Sequence, residues 1–163
     1  PGCMPPSRLL LPILAAACLH AEIAVGDRIT ARVEHVHDGD SLRATIAGVD
    51  RDLRLWGVDA PEHGQPGADA SRDALAARVT GREVVALVMA IDVHGRLVVR
   101  LGVNRTEVNL AQLGDGHAWW FRRFAGGNDA YRLAEAAARA GRKGLWSAAD
   151  PEAPWDYRDR LAE

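Results

Sequence analysis

Asp59 and Glu62 stand in the run VDAPE, with Pro61 between them. Two carboxylates at the end of an apolar, strand-like segment can hold a cation and move a proton, or they can be a solvated turn. Other charged residues sit at comparable places. Asp38 and Asp40 share the turn HDGD from His37 to Asp40, Arg54 precedes Asp59 on the same segment, and Arg96 ends the turn DVHGR from Asp92. A pair of aspartates makes an all-oxygen site, which selects a hard cation, calcium or magnesium, over zinc. Pro61 stiffens the backbone so that the Ala60 carbonyl could face the same ion. Glu62 would then be placed to take a proton from an attacking water. Arginines opposite such a cluster suit a phosphodiester, because they hold the anion and stabilise the extra charge of five-coordinate phosphorus.

Each piece taken alone has a plainer reading. D-G-D is a common hairpin turn, a lone strand arginine such as Arg54 commonly makes a cross-strand pair, and Arg96 could be a loop charge. His35 and His37 lack a nearby third nitrogen or sulfur ligand, so a solvated strand end explains them better than a metal. His94 and His117 read as packing or surface residues. Trp119, Trp120 and Phe121 are candidates either for the core or for stacking on bases.

The elements that must position these groups follow from hydrophobic period. Arg28–Val36 alternates as a strand, Ser41–Ile46 as a second and Asp50–Val58 as a third. Ala68–Thr80 reads as a helix stopped by Gly81. Glu83–Met89 and Leu97–Val103 are strands four and five. Glu107–Asp115 is a short helix, and Asp129–Ala140 a longer one with Asn128 as its cap. The tail from Ser147 to Glu163, rich in Pro and Asp, reads as a loop strapped down by Trp155 and Tyr157. Three strands, a helix, two strands and two helices suit a mainly β α+β protein: a five-stranded Greek-key barrel of the oligonucleotide/oligosaccharide-binding (OB) type with about three helices. If strands two and three pair antiparallel, Asp40 and Asp59 arrive at the same end.

The 163 residues allow one domain with a real core. A formal net charge of −2 excludes the global basic field of many non-specific nucleic-acid binders, so an anion must be held locally. Cys3 and Cys18 both precede this domain, which excludes a thiolate nucleophile and a disulfide staple within it. Met4 reads as a start, followed by one basic residue, Arg8, and an apolar run from Leu9 to Leu19. That run is too short for a membrane span and right for a signal-peptide core, with cleavage after Ala21. The expectation is residues 1–21 as a signal peptide, with a lipoprotein-like AAAC ending at Cys18 as a lipid-anchor alternative. Export to the periplasm or outside the cell follows from either.

The combination of motifs is far more specific than its parts. DGDS from Asp38 to Ser41, RLWGVDAPE from Arg54 to Glu62 and DVHGR from Asp92 to Arg96 resemble the staphylococcal nuclease (thermonuclease-like) family. The resemblance continues through Val108-Asn109, GHAW ending at Trp119, GLW ending at Trp146 and PWDYR from Pro154 to Arg158.

It implies a five-stranded barrel and a calcium-dependent endonuclease acting on DNA or RNA, with magnesium the second choice of ion. By that resemblance Asp40, Asp59 and the Ala60 carbonyl hold the ion, and Glu62 is the general base. Arg54 and Arg96 bind the phosphate and stabilise the transition state, and Asp38 orients waters. The product expected is a 3′-phosphate. The chain departs from the best-known member at Val93 and His94, where that protein has lysine and tyrosine. It departs also at Arg122 and Phe124, which replace two tyrosines near the nucleotide. Stacking then falls to Trp119, Trp120 or Phe121. A monomer with no stable protein partner is expected. The alternative is a catalytically silent nucleic-acid-binding module, like the nuclease-like repeats of Tudor-domain coactivators. Those repeats typically lose the aspartates and arginines that this chain keeps. An oligosaccharide-binding barrel would give no reason for the convergence.

Overall fold

The structure, a computed structural model, describes residues 22–162; residues 1–21, with the expected leader and Cys18, lie outside the described residues, as does Glu163. Three strands open the chain: β1 (Arg28–Val36), β2 (Ser41–Ile46) and β3 (Val49–Leu55). They form an antiparallel meander in which Ser41 faces Arg54. A short β4 (Val58–Asp59) and helix α1 (Ala68–Val79) follow, then β5 (Glu83–Ile91) and β6 (Leu97–Val103). β5 pairs with β1 and with β6, both antiparallel, and β6 returns beside β3 in parallel, with Arg54 opposite Val98. That last pairing closes β3-β2-β1-β5-β6 into a five-stranded barrel, as the strand pattern implied.

Alternation fills the barrel. Val33, Leu42, Leu53, Ala86, Val99 and Leu101 point inward and are fully buried, while their strand neighbours face out. After β6 come β7 (Thr106–Glu107), α2 (Val108–Gly114), β8 (Trp119–Trp120), α3 (Arg122–Ala125), α4 (Asp129–Ala140), a 3₁₀ turn at Gly144–Ser147 and α5 (Pro154–Leu161). Asn128 caps α4 by accepting the Tyr131 N–H at 3.2 Å. No helix among the described residues is long and apolar enough to cross a membrane.

Two departures from the sequence pattern matter for the site. The expected third strand, Asp50–Val58, breaks at Trp56-Gly57, because Gly57 takes φ +68 and turns the chain off the barrel wall. A Cβ there would lie 2.5 Å from the Ala125 Cβ. β4 therefore pairs with β8, not with the barrel, and sets Asp59 opposite Trp119. The second departure is the tail, expected as a loop. Residues 154–161 are helical, with Pro154 at the first turn, where its missing N–H costs nothing. With the four-residue α3, this makes five α-helices among the described residues against the three expected.

Asn109 locks α2 to the barrel. Its Oδ1 accepts the Leu101 N–H at 2.9 Å, and its Nδ2 donates to the Trp56 and Val99 carbonyls at 3.0 Å. It is fully buried, so Asn109→Ala strands backbone groups without water. The expected cost is about 3 kcal/mol by urea denaturation with an unchanged m-value. A loss under about 1 kcal/mol would show that the contact is dispensable.

Candidate active site

The β1–β2 turn builds the first half of the site. Asp38 Oδ1 accepts the N–H groups of Asp40 at 2.9 Å and Ser41 at 2.7 Å, a side-chain mimic of a backbone turn. Asp38 thus shapes the turn that presents Asp40. Gly39 is needed there for close approach, since a Cβ would sit 1.8 Å from the Ser71 Oγ of α1. The Gly39 carbonyl accepts Gln112 Nε2 at 2.9 Å, which ties the turn to α2.

Asp40 lies one residue outside the Ser41–Arg54 pair and is almost wholly buried. Its Oδ1 accepts Arg54 Nη1 at 2.8 Å, and its Oδ2 accepts the Ala60 N–H at 2.7 Å. Arg54 Nη2 donates to Asp59 Oδ1, also at 2.8 Å. One guanidinium therefore holds both aspartates, bringing Asp40 and Asp59 together as the strand order implied. Arg54 stands between them and not across from them. Burial, together with the nearby charges of Asp38 and Asp59, pushes the Asp40 carboxyl up to about 8. Arg54 and the Ala60 N–H pull the other way and do not overcome it.

Asp59 is 1% exposed. A second guanidinium reaches it from α5: Arg158 Nη2 donates to Asp59 Oδ2 at 2.9 Å and Nη1 to Oδ1 at 3.3 Å. The same Nη1 donates to Glu62 Oε1. The result is a chain of alternating carboxyl and guanidinium groups, Asp40–Arg54–Asp59–Arg158–Glu62. The Glu62 side chain is 39% exposed and faces solvent at the rim. Its backbone N–H donates to Gln65 Oε1 at 2.9 Å, and Gln65 Nε2 donates to the Glu152 carbonyl at 2.6 Å.

No motif in the sequence assigns Arg158 or Gln65 a role of its own. PWDYR carried the signal for Arg158: a proline at the first helical position, Asp156 in the first turn and Arg158 in the last. Gln65 gave none.

Arg96 is placed differently. Its Nε donates to Asp92 Oδ2 at 2.7 Å, and Asp92 Oδ1 accepts the N–H groups of His94 and Arg96, which caps the turn. These bonds hold the Asp92 carboxyl below the usual range, against the upward push of its own partial burial. Among the described residues Arg96 makes no hydrogen bond to the carboxylate cluster. Arg96 closes the turn just before β6, two residues ahead of Val98, which lies opposite Arg54 in the β3–β6 pairing.

The aromatic candidates separate by burial. Trp119 is buried, edge-on to Trp146 at 5.1 Å, and the Trp120 indole donates to the Ala125 carbonyl at 3.0 Å. Phe121 is half-buried. With Trp155, whose ring centre is 5.8 Å away, it lines a cleft of about 370 Å³ rimmed by Arg122, Arg123 and Arg139.

Among the described residues no three His, Cys, Asp or Glu side chains converge on one metal position. What converges is two carboxylates, Asp40 and Asp59, with the Ala60 backbone bonded to Asp40 through its N–H and its carbonyl accepting no hydrogen bond from the described residues. With Asp38 and Glu62, four carboxylates face Arg54 and Arg158. Fully ionised, the cluster is short of positive charge by an amount that a divalent cation would supply. The all-oxygen chemistry and the raised Asp40 suit a hard divalent cation.

The family model described as staphylococcal nuclease homologue matches residues 52–148. Asp38 and Asp40 precede that span, and Arg158 follows it. A probable staphylococcal-like nuclease of Oryza sativa subsp. japonica is 37% identical over 106 residues, 65% of this chain. The match covers 28% of the plant protein's length. An uncharacterised endonuclease of Escherichia coli O157:H7 is 31% identical over 133 residues, 81% of this chain and 86% of that protein. A micrococcal nuclease of Shigella flexneri is 28% identical, with 91% of each chain covered.

Proposed function

Because the chain belongs to the staphylococcal nuclease family, we propose that it is an endonuclease hydrolysing phosphodiester bonds of DNA or RNA with calcium as cofactor. The observation that carries this reading is the Asp40–Arg54–Asp59–Arg158–Glu62 chain, buried at one end and open at Glu62. In it Asp40, Asp59 and the Ala60 carbonyl would hold the calcium, which supplies positive charge to the reacting phosphate. Glu62, at the solvent edge, takes the proton of the attacking water. Arg96, in the turn that leads into β6 beside Arg54, would steady the charge that builds on the phosphate. Phe121 and Trp155 offer ring faces to a base, with the cleft's arginines toward its backbone. The chain acts after export, residues 1–21 serving as the leader.

A silent binding module is the second reading, and one experiment separates the two. Residues 22–163 are incubated with labelled single- and double-stranded DNA and RNA in calcium, in magnesium and with a chelator. Calcium-dependent cleavage abolished by the chelator is the expected result. Binding without cleavage under all conditions would leave the module.

The raised Asp40 carboxyl gives calcium binding a sign. Below pH 8 Asp40 holds a proton that the cation must displace. Affinity is therefore expected to rise about tenfold per pH unit up to pH 8 and to level above it. Isothermal titration in buffers of different ionisation enthalpy reads the released proton directly. An affinity flat between pH 6 and 8 would remove Asp40 from the ligand set.

A further inference from the structure

We propose that Arg158 is a positioning residue for the hydrolysis. It fixes the Glu62 carboxylate against buried Asp59, so that one Glu62 oxygen is held and the other is left for the water. This inference rests on the nuclease reading above. Asp59 is the fixed point: it is buried, and its two oxygens are taken by Arg54 and Arg158. Glu62 is the movable point, with three side-chain torsions and an exposed head. Arg158 spans them with its terminal nitrogens, and its bond goes to Glu62 Oε1. Glu62 Oε2 accepts no hydrogen bond from the described residues. A general base works only within hydrogen-bond reach of its proton, and a third group commonly orients it. A planar fork suits this task, since one guanidinium can address two carboxylates at a set angle.

The segment that delivers Arg158 is secured independently of it. Pro154 is buried, Trp155 lies against Phe121, and Arg160 Nε meets Glu152 Oε1 at 2.9 Å. Gln65 joins the Glu62 backbone to the Glu152 carbonyl. α5 therefore has anchors enough without Arg158, and a simple strap would not need an arginine aimed at the site. A direct phosphate ligand is the other role to weigh. Both terminal nitrogens of Arg158 are already committed to carboxylates, which favours positioning.

The test is a double-mutant cycle on residues 22–163, with Arg158→Ala, Arg158→Lys, Glu62→Gln and the Glu62→Gln/Arg158→Ala pair. Initial rates are taken on a single-stranded oligonucleotide in calcium. Melting temperature and oligonucleotide affinity by anisotropy are measured alongside, the latter in the Glu62→Gln background. Arg158→Ala is expected to lower kcat on the order of 100-fold, as a misplaced base does, with KM within about threefold. Arg158→Lys should recover about tenfold of that loss, because one donor remains. Once Glu62 is Gln, removing Arg158 should change kcat less than about threefold, since the two act as a unit. Oligonucleotide affinity should be nearly unchanged, while melting temperature should fall in Arg158→Ala, which takes the donor from buried Asp59 Oδ2, and recover in part in Arg158→Lys.

Additive losses in the cycle would overturn the proposal. So would a rise in KM with kcat intact, which marks a substrate ligand, or equal melting losses in the Ala and Lys variants, which mark a strap. Wild-type turnover in Glu62→Gln alone would instead overturn the assignment of Glu62 as base, and the cycle tells that result apart.

Discussion

Glu62→Gln is expected to lose on the order of 10³-fold in kcat while keeping its fold, within the range that general bases contribute. The side chain lies at the rim and packs in no part of the barrel core. An amide has the same shape, and its oxygen can still accept from Arg158. What it cannot do is take a proton. The loss should therefore fall on turnover, with KM and calcium affinity nearly unchanged, because the proposed calcium donors, Asp40, Asp59 and the Ala60 carbonyl, remain. Glu62→Asp is a sharper control. It keeps the charge but withdraws the carboxylate by one methylene, away from Arg158 and from the water. If position matters as much as basicity, it should be nearly as impaired as Glu62→Gln. Single-turnover rates on a short oligonucleotide check both variants, and wild-type turnover in Glu62→Gln would sink the mechanism.

Much of the fold was legible because alternation is a local signal. β1, β2, β6 and α4 begin and end where period and capping place them. The break after β3 was not legible. Apolar residues continue on both sides of Gly57, and only the Ala125 side chain packed against that glycine shows why the chain must turn. α5 hides in the sequence because Pro and Asp are common loop formers, although at a helix start both are favourable.

The site divides in the same way. Asp40 and Asp59 could be brought together from strand order alone. That Arg54 lies between them needs the register, Ser41 opposite Arg54, which no spacing rule supplies. Arg158 is 99 residues from Asp59. A contact at that separation is set by how the tail packs, so a local motif can suggest the helix but not its target. Trp119 shows the limit of reading aromatics: its composition suits stacking, yet its indole is buried edge-on against Trp146.

Arg54→Ala is expected to damage stability and activity together, and the stability loss is the more diagnostic. The side chain donates to two buried carboxylates at 2.8 Å each. Removing it leaves both without their shared cation, and breaking a buried ionic group in this way costs about 3–5 kcal/mol. The deficit should depend on pH with a definite sign. Asp40 is already held at about 8 with Arg54 present, and without Arg54 its carboxyl rises further. Below pH 8 both proteins carry a protonated Asp40, so that part of the deficit is small. Above pH 8 the wild type ionises Asp40 beside Arg54, and the variant must keep its proton or bury a bare charge. The melting-temperature gap should therefore widen as pH rises through 8. Calcium should narrow it, by supplying the positive charge that Arg54 no longer does. Arg96→Ala is the counterpart. Its partner Asp92 lies in a part-exposed turn, so the stability cost should stay near 1 kcal/mol or less. Its rate should still fall about 100-fold or more if it stabilises the phosphate charge. A gap between wild type and Arg54→Ala that is small and flat from pH 6 to 9 would mean that Arg54 does not hold the two aspartates. Its role would then be confined to the substrate, as proposed for Arg96.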